Sequence, residues 1–236
     1  MKKVYNIFLF LAVVLMIAVS CEKDDFPGPD AQVFGAIKDS LDGGLVEQDI
    51  QTGSQIEVQE LGFATPVSQF WVIKPNGEYR NNLVFSNDYD IYMRNGNFFP
   101  YTLKSIKIGS GENKIDFNVV PYIRVKNVSI TRNTGTNKIE ASFKLEAGKS
   151  NVKLAQIGLY AFSDMYVGEI INKVKAVQSF SAATIDPAVT YTLSIDASNS
   201  FFVAGRDYFF RVGAKASLTG VGTIRSNYAP YVKITF

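Results

Sequence analysis

The sequence predicts an all-β protein built as two tandem β-sandwiches. Three observations carry this reading. Short runs alternate apolar and polar residues at period two, turn signals separate them at regular intervals, and no stretch shows helical apolar spacing. Frequent Val, Ile, Phe and Tyr in these runs is strand chemistry, because branched and aromatic side chains fit a pleated, half-buried surface.

Taken in order, the first half contains "QVFGAIKD", "SQIEVQEL", "QFWVIK", "DYDIYMR", "KSIKIG" and "NKIDFNVV", punctuated by "DGG", "PNGE", "RNGN" and "GSGEN". "IKPNGEYR" is the clearest hairpin, since Asn76-Gly77 suits a tight turn needing positive φ. "VVPY" marks the domain boundary, because proline ends strand pairing. From Tyr122 onward seven more runs follow, "YIRVKNVSITR" to "TIRSNYAPYVKITF", the number expected of a single sandwich. The expected division is therefore 1–20 signal, 21–31 tether, 32–121 first sandwich and 122–236 second sandwich.

The start of the chain is set apart. Lys2 and Lys3 precede an unbroken apolar run from Ile7 to Val19, 13 residues long. A bilayer-spanning helix needs about 20, so this run reads as a secretory signal rather than a span. "EKDDFPGPDAQ" after it is polar and rich in Pro and Gly, a flexible tether. Loss of Lys2 and Lys3 with the signal takes the 24 basic side chains down by two, level with the 22 acids. A neutral chain carries no electrostatic footprint for nucleic acid.

Composition excludes several chemistries. With no histidine, Ser-His-acid and Cys-His catalysis and His-bearing zinc sites are ruled out. Cys21 is the only cysteine, so neither an internal disulfide nor a thiolate cluster can form. No Gly-rich loop opens a helix, which leaves phosphate without a cradle. Carboxylates remain: Asp88 and Asp90 lie two apart in "SNDYDIY" and would share a strand face, where solvated acids also protect an edge from aggregation. No enzyme, cofactor or metal is expected.

Aromatics are the better candidates, because flat rings cover the apolar faces of sugars. Trp71, the only tryptophan, points opposite to Phe70 and Val72 in "QFWVIK". Both faces of that run are apolar, so either Trp71 faces out or it fills the sandwich and Phe70 is free for another role. Phe98 and Tyr101 sit in the "NFFPY" loop, and Tyr166 in "SDMYVGE". Strand counting places "EAGKSN" and "SLTGVGT" at the domain junction. It places "TRNTGTNK", "SDMYVGE" and "ASNSFFVAG" at the far tip, making Met165 and Tyr166 tip-binding candidates. The ligand-binding candidates are thus Trp71, Phe98, Tyr101 and Tyr166.

Several stretches carry resemblances. "FVAGRDYFFRVGAKA" resembles the corner before the sixth strand of a fibronectin type III domain, with Val203, Gly205, Tyr208, Val212 and Ala214 in place and Tyr208 as the tyrosine-corner residue. Ala204 stands where that pattern usually has proline. "VFGAIKDSLDGGLVEQDIQTGSQIEVQE" resembles the opening of a transthyretin-like, carboxypeptidase-regulatory sandwich, with Gly35 in its first strand. "AVSC" looks like a lipobox with Ala18 for the usual leucine. That resemblance implies cleavage before Cys21, diacylglycerol on its sulfur and, with N-acylation, stable membrane anchoring. "EKDD" resembles the acidic surface-export signal of Bacteroidota lipoproteins.

With "KPNGEYRN", "NFFPY", "VVPYIRVKNVSI" and "NVKLAQIGLY", nearly the whole mature chain resembles a two-domain family of Bacteroidota surface lipoproteins found beside Sus-type glycan importers. The resemblance implies an outer-membrane, surface-exposed, non-catalytic accessory that binds polysaccharide or oligosaccharide near a SusC/SusD-like transporter. The alternative is a structural or docking lipoprotein that makes protein contacts with the transporter complex or a neighbouring cell.

Overall fold

The computed structural model describes residues 27–50 and 53–236; Cys21, the signal and most of the tether lie outside the described residues. All regular structure there is β, in sixteen strands and no helix. Eight belong to the first half: β1 (Ala31–Asp39), β2 (Gln55–Glu60), β3 (Ser68–Val72), β4 (Glu78–Val84), β5 (Asn87–Met93), β6 (Tyr101–Ile108), β7 (Gly111–Lys114) and β8 (Phe117–Val119). The second half supplies β9 (Ile123–Asn133), β10 (Lys138–Ala147), β11 (Lys153–Phe162), β12 (Val174–Thr184), β13 (Thr190–Asp196), β14 (Asp207–Ser217), β15 (Asn227–Tyr228) and β16 (Val232–Thr235).

In the N-terminal sandwich one sheet runs β4-β1-β7, with β8 also on β1; the other runs β3-β2-β5-β6. β1 is antiparallel to β4 but parallel to β7 along its first half and to β8 along its second. Gly35 sits where the chain passes between β7 and β8. A Cβ there would lie 1.9 Å from the Ile115 carbonyl oxygen, so only glycine lets that backbone close in. Period-two alternation is plain along β2: Ile56 and Val58 face the core while Gln55, Glu57 and Gln59 face out.

"IKPNGEYR" does fold back as a hairpin, with Lys74 N–H donating to the Glu78 carbonyl (2.7 Å), but its loop is three residues, Pro75 to Gly77, rather than a tight two-residue turn. Gly77 donates its N–H to the Lys74 carbonyl (2.9 Å), and positive φ falls on Gly77 alone (85°), not on Asn76. That is a type I turn with Pro75 second and glycine last. The flanking strands then diverge, β3 into one sheet and β4 into the other, joined by a single Ile73–Tyr79 bridge. The cause is core packing: Trp71, Ile73 and Tyr79 all face inward, and the Trp71 and Tyr79 rings stack at 6.2 Å.

The C-terminal sandwich sets β13-β10-β9 against β12-β11-β14-β15, with β16 also on β14. Its core interleaves Ile139, Phe143 and Leu145 with Leu159, Phe210 and Val212. Tyr208 forms the corner its sequence context suggests. Its hydroxyl donates to the Phe201 carbonyl (2.8 Å) and accepts from Val203 N–H (2.9 Å), under a cluster with Phe202 and Phe236.

The two sandwiches pack side against side. Arg211 alternates with core residues Phe210 and Val212, so it stands on the outer face of its sheet, yet it is completely buried. The segment Glu47–Gln48 and the Pro75 turn of the N-terminal sandwich cover it. Its guanidinium donates to the carbonyls of Ala229 (3.0 Å), Gln48 (3.0 Å), Val167 (3.3 Å) and Pro75 (3.1 Å), and to the Glu47 carboxylate. Its carbon lies 4.4 Å from the Tyr228 ring centre, a cation–π contact. Nearby, Asn97 Nδ2 donates to the carbonyls of Glu47 (2.7 Å) and Ser226 (3.2 Å), and Asn227 Nδ2 donates to that of Asn97 (2.7 Å). Asp39 at the end of β1 forms a two-pronged pair with Arg124 of β9, both side chains 9% exposed.

This packing revises one loop. "EAGKSN" and "SLTGVGT" do lie at the junction, through Lys149 Nζ 4.0 Å from the Phe99 ring centre and Gly96 N–H to Thr223 O (3.0 Å). "SDMYVGE" does not reach the far tip. Arg211 and Tyr228 draw residues 167–169 down onto the outer face: Val167 is buried, and Glu169 N–H donates to the Tyr228 hydroxyl at 2.9 Å.

Candidate functional site

The four aromatic candidates form no common surface. Trp71 (5% exposed) and Phe98 (2%) are core residues, so neither offers a ring face to a ligand. Phe98 follows the buried Asn97, whose amide network at the junction holds the "NFFPY" loop inward. Tyr101 is half-buried, edge-on to Phe117 at 6.3 Å. Tyr166 remains 39% exposed beside Met165, on the loop that folds towards the domain junction.

Burial of Trp71 turns its neighbours outward. β3 is an edge strand with one face on the core, so once Trp71 and Ile73 take that face, Phe70 (56% exposed) and Val72 (55%) must face solvent. Phe70 pairs with Glu57 on β2, and Glu57 with Tyr92 on β5, so the three line up across one outer face. Tyr92 is occupied by cations, with Arg94 4.3 Å and Lys104 4.1 Å from its ring centre. Phe70 is left open.

Around Phe70 lies a groove of about 90 Å³ lined from one side by Gln55, Glu57, Arg94 and Asn95, and from the other sandwich by Thr223 and Arg225. Glu57 is positioned by the Ser68 hydroxyl (2.8 Å) and by Arg94 Nε (3.3 Å). Asn95 Oδ1 accepts from Thr223 N–H (2.8 Å), and Arg225 N–H donates to the Gly96 carbonyl (2.8 Å). Two sandwiches thus meet to build one polar wall facing one aromatic ring. Such a site can stack the C–H face of a sugar on Phe70 and bond its hydroxyls through carboxylate, amide and guanidinium groups.

Carboxylates elsewhere are committed to structure. Asp88 is exposed. Asp90 accepts from Lys104 Nζ (2.7 Å), the Tyr92 hydroxyl (3.1 Å) and Ser105 N–H (3.0 Å), and the Lys104 bond first among these holds its carboxyl below the usual range. An acid held ionised in this way is a poor proton donor. Glu47 and Asp49 are pushed above the usual range by burial, against the downward pull of Arg211 on Glu47 and of the Tyr228 hydroxyl (2.7 Å) on Asp49. Raised carboxyls can mark active sites, but Asp49 is buried between the sandwiches on the Tyr228 hydroxyl, and Glu47, at the edge of a junction cleft, is committed to Arg211. No cluster of three or more Asp, Glu, His or Cys side chains suited to a metal occurs among the described residues.

Sequence reasoning isolated Phe70 only as the alternative to Trp71, and missed Glu57, Arg94 and Arg225. Glu57 carried a signal, as the outward position of "QIEVQE", whereas the arginines lie in irregular segments outside the strands and carried none.

Fold and site together define a class: a two-domain β-sandwich protein with an open, aromatic-floored polar groove where its domains meet. Residues 31–120 match the family described as "Protein of unknown function (DUF3823) N-terminal domain", and 123–233 match "Domain of unknown function (DUF3823_C)". A crystal structure from Bacteroides uniformis, described as a "putative carbohydrate binding protein", is 45% identical with a TM-score of 0.83, covering 89% of this chain and 100% of that one. The chain belongs to the DUF3823 family. DUF3823 proteins from Bacteroides uniformis and Parabacteroides merdae are each 18% identical, with TM-scores of 0.73 and 0.72. They cover 88% and 89% of this chain, and 99% and 100% of their own, and share its fold. No curated protein matches the chain.

Proposed function

We propose that this protein is a non-catalytic glycan-binding lipoprotein, anchored to the outer membrane through Cys21, displayed at the cell surface and accessory to a Sus-type transporter. The observation that carries the glycan reading is Phe70, an exposed ring on a rigid edge strand facing Glu57, Arg94, Asn95 and Arg225. The description borne by the 45% identical relative supports the same ligand class. Anchoring rests on the apolar run and the lipobox-like "AVSC", and surface display on "EKDD". A site on the outer face, fixed by two sandwiches clamped together, would hold a polymer without enclosing it, as capture for a neighbouring importer requires.

Affinity electrophoresis against a panel of soluble polysaccharides tests the ligand class. Retardation by at least one polymer, lost in Phe70→Ala, is expected; migration unaffected by every polymer would reject the reading. Metabolic labelling with a fatty-acid analogue, lost in Cys21→Ala, tests the anchor. Protease accessibility on intact cells tests display, and co-purification of a TonB-dependent transporter tests the partner.

A further inference from the structure

We infer that the Phe70 groove selects an anionic sugar residue, one bearing a carboxylate or a sulfate, and that Arg225 is the group that reads the charge. This rests on the glycan-binding reading of the groove and names its ligand more narrowly.

Three ionisable side chains line the groove: Glu57, Arg94 and Arg225. The first two neutralise one another at 3.3 Å, so the surplus charge is that of Arg225. Its Nε is buried with no hydrogen-bond partner among the described residues, and no acid lies within ion-pair distance of it there. Two acids are close enough to feel its charge, Asp49 and Glu169. Each is held by another group: Asp49 by the Tyr228 hydroxyl (2.7 Å), Glu169 by Lys215 (2.9 Å) and Ser226 (2.7 Å). A guanidinium taken partly out of water and left without a counter-ion is a standing electrostatic cost. An anionic ligand group relieves it, and the planar fork suits a carboxylate or sulfate.

The position of Arg225 is fixed, not incidental. Ile224 forms a parallel bridge to Gly96, and Arg225 N–H is bonded to the Gly96 carbonyl, so the C-terminal domain presents this side chain across the junction to the strand that carries Phe70. A sugar stacked on the ring would carry its hydroxyls against Gln55, Glu57 and Asn95 and its charged substituent towards Arg225. Glu57, already paired, disfavours a second anion on its own side and gives the ligand one orientation.

A glycan array carrying neutral, uronic-acid-bearing and sulfated oligosaccharides tests this with the intact protein. Hits confined to anionic members are expected, and the uronate and sulfate arms tell which group is read. Titration calorimetry on the strongest hit should then show Arg225→Gln weakening binding about tenfold, the value of one charge-assisted hydrogen bond. The melting temperature should not fall, because the side chain makes no hydrogen bond or ion pair among the described residues, and relief of its desolvation offsets the loss of its attraction to Asp49 and Glu169. Arg94→Gln, which frees the Glu57 carboxylate, should weaken the same ligand. Hits on neutral glycans only, or anionic binding unchanged in Arg225→Gln, would overturn the charge preference and leave glycan binding standing. An array without hits would overturn both.

Discussion

Replacing Arg211 by methionine removes the group on which both sandwiches converge while keeping much of its aliphatic stem. Of its five hydrogen-bond acceptors, Gln48, Pro75 and Glu47 belong to the N-terminal sandwich, and Ala229 and Val167 to the C-terminal one. Arg211 is 0% exposed, so the variant strands a buried carboxylate and four carbonyls away from water. Breaking a buried pair from one side costs about 3–5 kcal/mol. At about 2–4 °C per kcal/mol for a chain of this size, the melting temperature falls by roughly 6–20 °C.

The pH dependence has a definite sign. Burial already holds the Glu47 carboxyl above its ordinary range, and in the variant it loses the opposing charge and hydrogen bond of Arg211 and rises further. A carboxyl raised in the folded state contributes stability below its unfolded pKa, and that contribution is lost as pH rises through the folded value. The deficit of the variant is therefore largest near neutrality and shrinks towards about pH 4.5. Adding Glu47→Gln should recover part of the loss. Urea unfolding of the unsubstituted protein and the two variants at neutral pH and at about pH 4.5 is the assay. A deficit under about 1 kcal/mol at neutral pH, or one equal at both pH values, would refute the reasoning.

Gly35→Ala should destabilise by about 3 kcal/mol or more in chemical unfolding, because the new methyl meets the Ile115 carbonyl at 1.9 Å and β1 must part from its parallel neighbours. Trp71→Ala should cost about 3–5 kcal/mol as a core truncation, whereas Phe70→Ala should stay within about 0.5 kcal/mol yet lose glycan retardation. Asp39→Asn should cost about 2 kcal/mol at neutral pH and progressively less in acid. Burial pushes the Asp39 carboxyl up, but the Arg124 hydrogen bonds, the Leu41 N–H and the charges of Arg124 and Lys126 together outweigh it and leave it below the ordinary range. Its contribution is present above the unfolded pKa and lost as pH falls through the folded one. Melting curves across the acid range read this directly.

Local chemistry was enough to specify much of this protein. Alternation at period two is imposed by the pleat, so the strands and the two-sandwich division could be read from the chain, as could the Tyr208 corner, whose bonds span a few residues. Gly35 was visible as a glycine inside a strand, although its reason, the Ile115 carbonyl, was not. Where both faces of a run are apolar, alternation cannot say which is inside. Packing against Tyr79 put Trp71 in the core and released Phe70 to the surface.

The relation between the sandwiches was likewise beyond local reading. It depends on Arg211 meeting Glu47 across 164 positions, and on a loop drawn down beside it. Nothing in a strand such as "DYFFRVGAKAS" distinguishes an arginine bound for solvent from one that a second domain will cover. Strand identity follows from neighbours along the chain; the groove follows from which outward faces the folded domains bring together, and only tertiary packing decides that.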